Sequence, residues 1–215
     1  MIKISGVVEE ILAGDDIAKE ALKLGILNYS AYATHIKQRL ETKLYKQVSK
    51  GAIVVALSRL KNVVKNTPDY RPEVIIDNIN IQSPLAEISY EKTKETVKKT
   101  AAFKMKPTDE SFFTLTQGLG EITVICHQEL LPQIDKHMGT QHRKGRYQNL
   151  AAVTVKFNEN EYIEIPNMIF TLVTAIAVRR INLIEIVSTY TELSFIVREK
   201  NLQETVNALS PFLRK

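Results

Sequence analysis

Apolar positions in the first third of the chain recur at helical spacing. After Asp15-Asp16 come Ile17, Ala21 and Leu24, then Gly25, which predicts a helix capped by aspartate and closed by glycine. Ser30 opens a second helix, with Tyr32, Ala33, Ile36 and Leu40 as its stripe, running to about Tyr45. Lys46-Gln47-Val48 is a short link, and Ser49 caps a third helix over 51–65. Its core face is Ile53, Leu57, Leu60 and Val64.

Prolines at 68, 72 and 84, with turn-favouring Asp69, Asn78 and Asn80, punctuate the chain, and the pattern places a domain boundary near Thr67. Beyond it the periodicity is mixed. Residues 87–90 read as a strand end, and 92–104 as a helix burying Thr96, Val97, Thr100 and Ala101. Strands at 111–116 and 121–126 join through Gln117-Gly118-Leu119-Gly120, where glycine offers the positive φ expected of such a turn. A helix over 129–138 has Pro132 in its first turn, and His142-Arg143-Lys144-Gly145-Arg146 reads as an exposed basic loop. Residues 150–215 repeat the order: strand 150–157, apolar helix 168–181, strands 183–187 and 193–198, helix 201–209. Strand, helix, strand, strand, helix is the ferredoxin-like split βαβ, its last strand coming from 212–215 or from elsewhere in the chain. The expected fold class is therefore α+β: a helical domain over 1–66, then two βαββαβ units over 67–149 and 150–215.

Charge separates these pieces. The net +5 lies entirely in residues 1–66, with 11 Lys and Arg against 6 Asp and Glu, whereas 67–215 carries 18 of each. On the third helix Lys50, Ser58, Lys61 and Lys65 fall opposite the core face, flanked by Arg59 and Asn62. That face is a candidate for DNA phosphates, with Arg59 or Asn62 reaching a base edge. The competing reading is a solvated lysine face, and Val54 and Val55, partly outward, suit a protein contact.

No catalytic constellation emerges, so an enzyme is not expected. Cys126 and His127 are adjacent in a strand and point to opposite faces, so Cys126 reads as a small core residue. His127, His137 and His142 have no cysteine or acidic cluster to complete a metal site. Gly118-Leu119-Gly120 lacks the third glycine of a dinucleotide loop and lies between strands. No cofactor and no metal are expected. A single cysteine, no apolar run long enough for a bilayer and no signal-like start lead to the expectation of a cytoplasmic protein without membrane contact. The helix over 168–178 is apolar nearly all round, so one side covers its own sheet and the other needs a partner, either the other unit or a second subunit, and a homodimer is expected.

The run from Arg180 through Ile181-Asn182-Leu183-Ile184, then Ser188-Thr189 and Leu193-Ser194-Phe195-Ile196-Val197, resembles the C-terminal ACT domain of aspartate kinases. The match covers about 165–212, whereas the earlier unit matches in element order and over 112–128. The N-terminal piece resembles winged-helix and helix-turn-helix regulators through Asn28-Tyr29-Ser30-Ala31-Tyr32-Ala33 and Val48-Ser49-Lys50-Gly51-Ala52-Ile53. The whole resembles an uncharacterised prokaryotic ACT-domain family.

The resemblance implies tandem ACT units with a free amino acid held between units, at Asn167, Met168, Asn182, Ile184 and Ser188, and allosteric control of the helical domain in transcription regulation. The family's glycine-bearing binding loop is replaced by the glycine-free stretch 158–167. A ligand-free dimerisation module is the alternative. Residues 1–66 have neither the length nor the glycine-rich nucleotide loop of a kinase catalytic domain, so none is expected there.

Overall fold

A computed structural model of the chain describes residues 3–64, 71–103, 111–158 and 165–214. It divides into two compact units, 1–70 and 71–215. The expected boundary at Thr67 and the DNA-face residue Lys65 lie outside the described residues.

The first unit has four described helices rather than three: α1 (Ile4–Ala13), α2 (Asp16–Leu24), α3 (Tyr29–Leu44) and α4 (Lys50–Val64). α1 starts at Lys3 without a side-chain cap and has no acidic residue in its first turn, so the usual start signals are missing. Its buried Val7, Val8, Ile11 and Leu12 carry the helical period instead. α2 is capped by Asp15, whose Oδ1 accepts from the Ala18 N–H at 3.0 Å while Oδ2 accepts from the Tyr32 hydroxyl at 3.0 Å. Gly25 closes α2 at φ 76°.

The expected stripe of α2 is wrong by one position. Ala18 and Leu22 are buried, whereas Ile17 is 85% exposed and Leu24 is exposed. A nine-residue helix with few apolar residues admits two stripes, and only packing against α1 and α4 selects one. α3 buries the predicted Tyr32, Ala33, Ile36 and Leu40, but Asn28 caps it rather than Ser30. α4 buries Ile53, Leu57, Leu60 and Val64 as expected, with Ala56 added.

The second unit is one six-stranded antiparallel sheet in the order β2-β3-β1-β4-β6-β5. The strands are β1 (Asn78–Glu91), β2 (Phe113–Gln117), β3 (Glu121–His127), β4 (Arg143–Lys156), β5 (Leu183–Ser188) and β6 (Glu192–Arg198). The helices are α5 (Lys94–Ala101), α6 (Leu131–Met138), α7 (Met168–Ala177) and α8 (Leu202–Leu209).

Two long strands of 14 residues, β1 and β4, organise this sheet. Leu85–Glu91 pairs with β3, and Asn78–Gln82 pairs with the end of β4. Leu150–Lys156 pairs with β6, and Arg143–Tyr147 pairs with the end of β1. Each strand thus starts one βαββα repeat with its second half and completes the other repeat with its first half. The missing last strand of the second repeat is the start of β1; in the other expected stretch, of which 212–214 are described, Leu213 makes a parallel bridge to Ile76.

Register shifts between Gln82 and Leu85 reset the alternation of β1. Ile79 packs with the second repeat's helices, whereas Ala86, Ile88 and Tyr90 pack with α6. The Asn78 and Asn80 turn is therefore corrected to strand, and Pro84 sits at the irregularity, where a strand tolerates a residue without an N–H.

The basic loop at 142–146 is corrected to the start of β4. That half-strand pairs only with β1, and its cations are held by neighbours: Arg143 and Arg146 donate to Asp135 at 3.1 and 2.8 Å, and Lys144 donates to Glu121. Neither Gly118 nor Gly120 has a positive φ; the β2–β3 turn closes by the Gly118 N–H donating to the Glu121 carbonyl at 2.8 Å.

The helix side of the sheet buries two cores. One holds Ala86, Ile88, Tyr90, Val124 and Cys126 against α6, and the other holds Val153, Val155, Phe195 and Val197 against α7 and α8. Because each repeat borrows a strand, 71–149 and 150–215 expressed apart are each expected to lack a cooperative thermal transition, and mixing is expected to restore one. A cooperative melt of either piece alone, read by circular dichroism, would contradict the shared-strand architecture.

Candidate functional site

The sheet side opposite the helices carries its own buried cluster: Leu85, Ile125, Leu150, Ala152 and Ile196, with Phe112, Ile184 and Val187 packed against it. Around it stand matched hydroxyl pairs. Ser89 Oγ and Thr123 Oγ1 lie 3.0 Å apart in the first repeat, and Thr154 Oγ1 and Ser194 Oγ lie 2.8 Å apart in the second. A groove of about 170 Å³ opens beside the second pair, lined by Asn80, Gln82, Ser111, Phe112, Thr154, Glu192 and Ser194. Its groups are hydroxyls, carboxamides and one carboxylate around a phenyl ring, an uncharged lining except for Glu192. Sequence reading missed it, because the groove needs the first half of β1, which the asparagines and Pro84 disguised.

The residues named for an amino acid fall at both ends of α7 and along β5. Asn167 precedes α7 at φ 67°; its carbonyl accepts from the Thr171 N–H and hydroxyl at 2.9 and 3.0 Å, and its side chain is exposed and makes no cap bond. Met168 is buried in the core under α7, so only its backbone faces a ligand. Asn182 is exposed in the turn after α7. Ten residues of helix, about 15 Å, separate it from Asn167. Ile184 packs on the helix-free side, and exposed Ser188 ends β5, its hydroxyl donating to the Thr189 carbonyl at 3.3 Å. Asn167 and Ser188 therefore lie towards one end of the α7–β5 pair, and Asn182 and Ile184 towards the other. The outer side of α7 leaves Ile169, Phe170 and Val178 exposed, Val178 at 72%.

In the first unit Lys50, Ser58, Arg59 and Asn62 are exposed, and Lys61 is half-buried. Val55 and Val63 are exposed on the same helix.

Chemically reactive groups are occupied elsewhere. Cys126 is buried in the helix-side core, and burial pushes its thiol up to about 11. His127 Nε2 lies 3.0 Å from Gln82 Oε1, His137 Nε2 lies 2.7 Å from the Lys99 carbonyl, and His142 Nε2 lies 3.3 Å from Glu95 Oε2. Among the described residues no group of three or more metal-ligating side chains forms, and no helix is long and apolar enough to cross a membrane.

Glu87 is the anomaly of the helix-free side. It is 7% exposed, and its Oε2 is buried with no hydrogen-bond partner. Burial, and then the nearby Glu185 carboxylate, push its carboxyl up to about 7. The corresponding position of the second repeat is Ala152, since β1 and β4 start at 78 and 143.

Neither the scan of family models nor the search of curated proteins finds a match. Among solved structures, the aspartate kinase of Clostridium acetobutylicum matches at a TM-score of 0.52 and 13% identity. The match covers 68% of this chain and 37% of that enzyme. The regulatory subunit of aspartate kinase from Thermus thermophilus aligns at a TM-score of 0.49 and 10% identity, over 63% of this chain and 97% of that one. The first match shows the fold: an α+β arrangement of the kind found in an aspartate kinase. This chain spans about 37% of the length of that kinase.

A carboxyl whose folded pKa exceeds its unfolded value stabilises below the unfolded value and loses that contribution as pH rises through the folded one. Glu87 is therefore expected to cost stability between about pH 4.5 and 7 and to cost most above 7. Glu87→Gln is expected to leave urea unfolding unchanged near pH 4 and to stabilise at pH 8 by about 1–3 kcal/mol. Equal effects at both pH values would refute the buried-carboxyl assignment.

Proposed function

We propose that this chain is a non-catalytic regulatory protein whose second unit is an ACT-type pair sensing a free amino acid. The observation that carries the reading is the duplicated βαββα unit interlocked through β1 and β4, with a fold like that of an allosteric kinase. The N-terminus of α7 supports it: Asn167 leaves its carboxamide uncommitted to the helix, and backbone N–H groups at a helix start suit a carboxylate. Binding there would favour one arrangement of the paired repeats by differential affinity and so change what the helical unit contacts. DNA is left out of the proposal, because exposed Val55 and Val63 on α4 suit a protein partner better than phosphates.

The ligand is expected to raise the melting temperature. At a hundred times its dissociation constant it adds about 2.7 kcal/mol, or roughly 5–10 °C for a domain of this size. Screening the twenty amino acids by thermal shift checks this; Asn167→Gly, which removes the carboxamide and keeps the positive φ, is expected to abolish the responding shift without lowering the unliganded melting temperature. A flat panel would leave the second reading, a dimerisation module without ligand, which the exposed Ile169 of α7 and Val178 just past it favour. On that reading Phe170→Glu is expected to turn a dimer into a monomer in sedimentation velocity, and an unchanged mass would reject it.

A further inference from the structure

The first unit carries two surface features that its own core leaves unused. The first is a groove of about 320 Å³ between α1 and α4. Its floor is apolar, with Ile4, Ala52 and Val55, the last 52% exposed. Its rim is cationic, with Lys3, Lys46 and Arg59, and no acidic side chain lines it. None of these three cations makes an ion pair among the described residues, whereas Lys43 pairs with Glu10 at 2.5 Å and Lys37 with Glu41 at 3.8 Å. Ala52 and Ala56, one turn apart on α4, are small enough for another helix to approach closely.

The second feature is the outer face of α2. The helix buries Ala18 and Leu22, so the opposite side presents Ile17 and Leu24, two turns apart, with Glu20 between them. Exposed Ile26 extends this apolar strip just past Gly25. Two bulky apolar residues in register with an acidic one are the complement of an apolar floor with a cationic rim. No α2 residue lines the groove of its own chain.

We infer that the α2 face of one copy docks into the α1–α4 groove of a second copy, with Ile17 and Leu24 on the apolar floor and Glu20 towards Arg59. The contact joins two different surfaces of each copy: a two-fold arrangement makes it twice and closes a dimer, a higher rotation closes a ring, and a non-closing one propagates a filament. It is independent of the amino-acid reading, and it uses a different unit from the α7 face. A phosphate backbone is the poorer occupant of this groove, since its floor would leave apolar side chains against polyanion.

The test is a charge exchange in the full chain, read as an association constant by sedimentation velocity at low and moderate salt. Arg59→Glu and Glu20→Arg are each expected to weaken association at least tenfold. The chain carrying both is expected to regain it, which neither misfolding nor a general loss of basic charge would do. Unchanged association in both single variants, or no recovery in the double, would overturn the docking. So would full association in Arg59→Glu together with lost binding to a 20-base-pair duplex, since the groove would then be a nucleic-acid surface. Dimerisation through α7 is read separately by Phe170→Glu, so the two interfaces fail independently.

Discussion

The antiparallel pairing of β1 with β4 is the interaction on which the second unit depends. Strand edges are costly to leave open, and the last strand of each βαββαβ repeat is the one farthest along the chain from the strand it must join. Here both repeats solve the problem with one ladder. Fourteen-residue strands lie side by side, and the first half of each becomes the closing strand of the other repeat. That sharing places the four helices on one side, where the buried residues form two separate cores, one with Val155 and the packed Ile79 and the other with Ile88.

The opposite side shows the duplication most clearly. Hydroxyl pairs recur at matched places, Ser89 with Thr123 and Thr154 with Ser194. The strand kinks are tied down in matched ways too: Ser83 Oγ donates to Glu199 Oε1 at 2.9 Å, and the Asn149 N–H donates to Gln128 Oε1 at 3.1 Å. Glu199 and Gln128 each open the single helical turn that follows β6 or β3. Symmetry breaks at Glu87, a buried carboxyl where the other repeat has Ala152. The helix-free side is therefore chemically two-faced although its backbone is repetitive.

Much of this was legible in the residues. The strands and helices after 110 apart from the start of β4, the repeat order and the buried stripes of α3 and α4 all rest on long, regular periodicity that packing had no reason to override. What was hidden had local causes. α1 lacks a cap, so its four buried residues had no boundary to announce them. α2 is short enough for two stripes to look equally good. The beginning of β1 carries Asn78, Asn80 and Pro84, residue types of turns, and becomes strand only because β4 supplies a partner. The basic start of β4 looked like a loop because its compensating acids, Glu121 and Asp135, are distant in sequence. The polar groove beside Thr154 and Ser194 was unreadable for the same reason, since it assembles only when the start of β1 is placed next to β4. The residues proposed for an amino acid were placed by resemblance rather than by chemistry, and the fold spreads them over both ends of α7.

The mid-strand irregularities at Gln82–Leu85 and Tyr147–Leu150 have a consequence for how such a sequence can change over time. In an uninterrupted strand, gaining or losing one residue turns every later side chain inside out. Here the phase is already re-set at the centre of both strands, so a length change near Pro84 or Asn149 is absorbed where it occurs. The two halves of each ribbon are free to drift in sequence separately, one answering to its own helices and the other to its neighbour's.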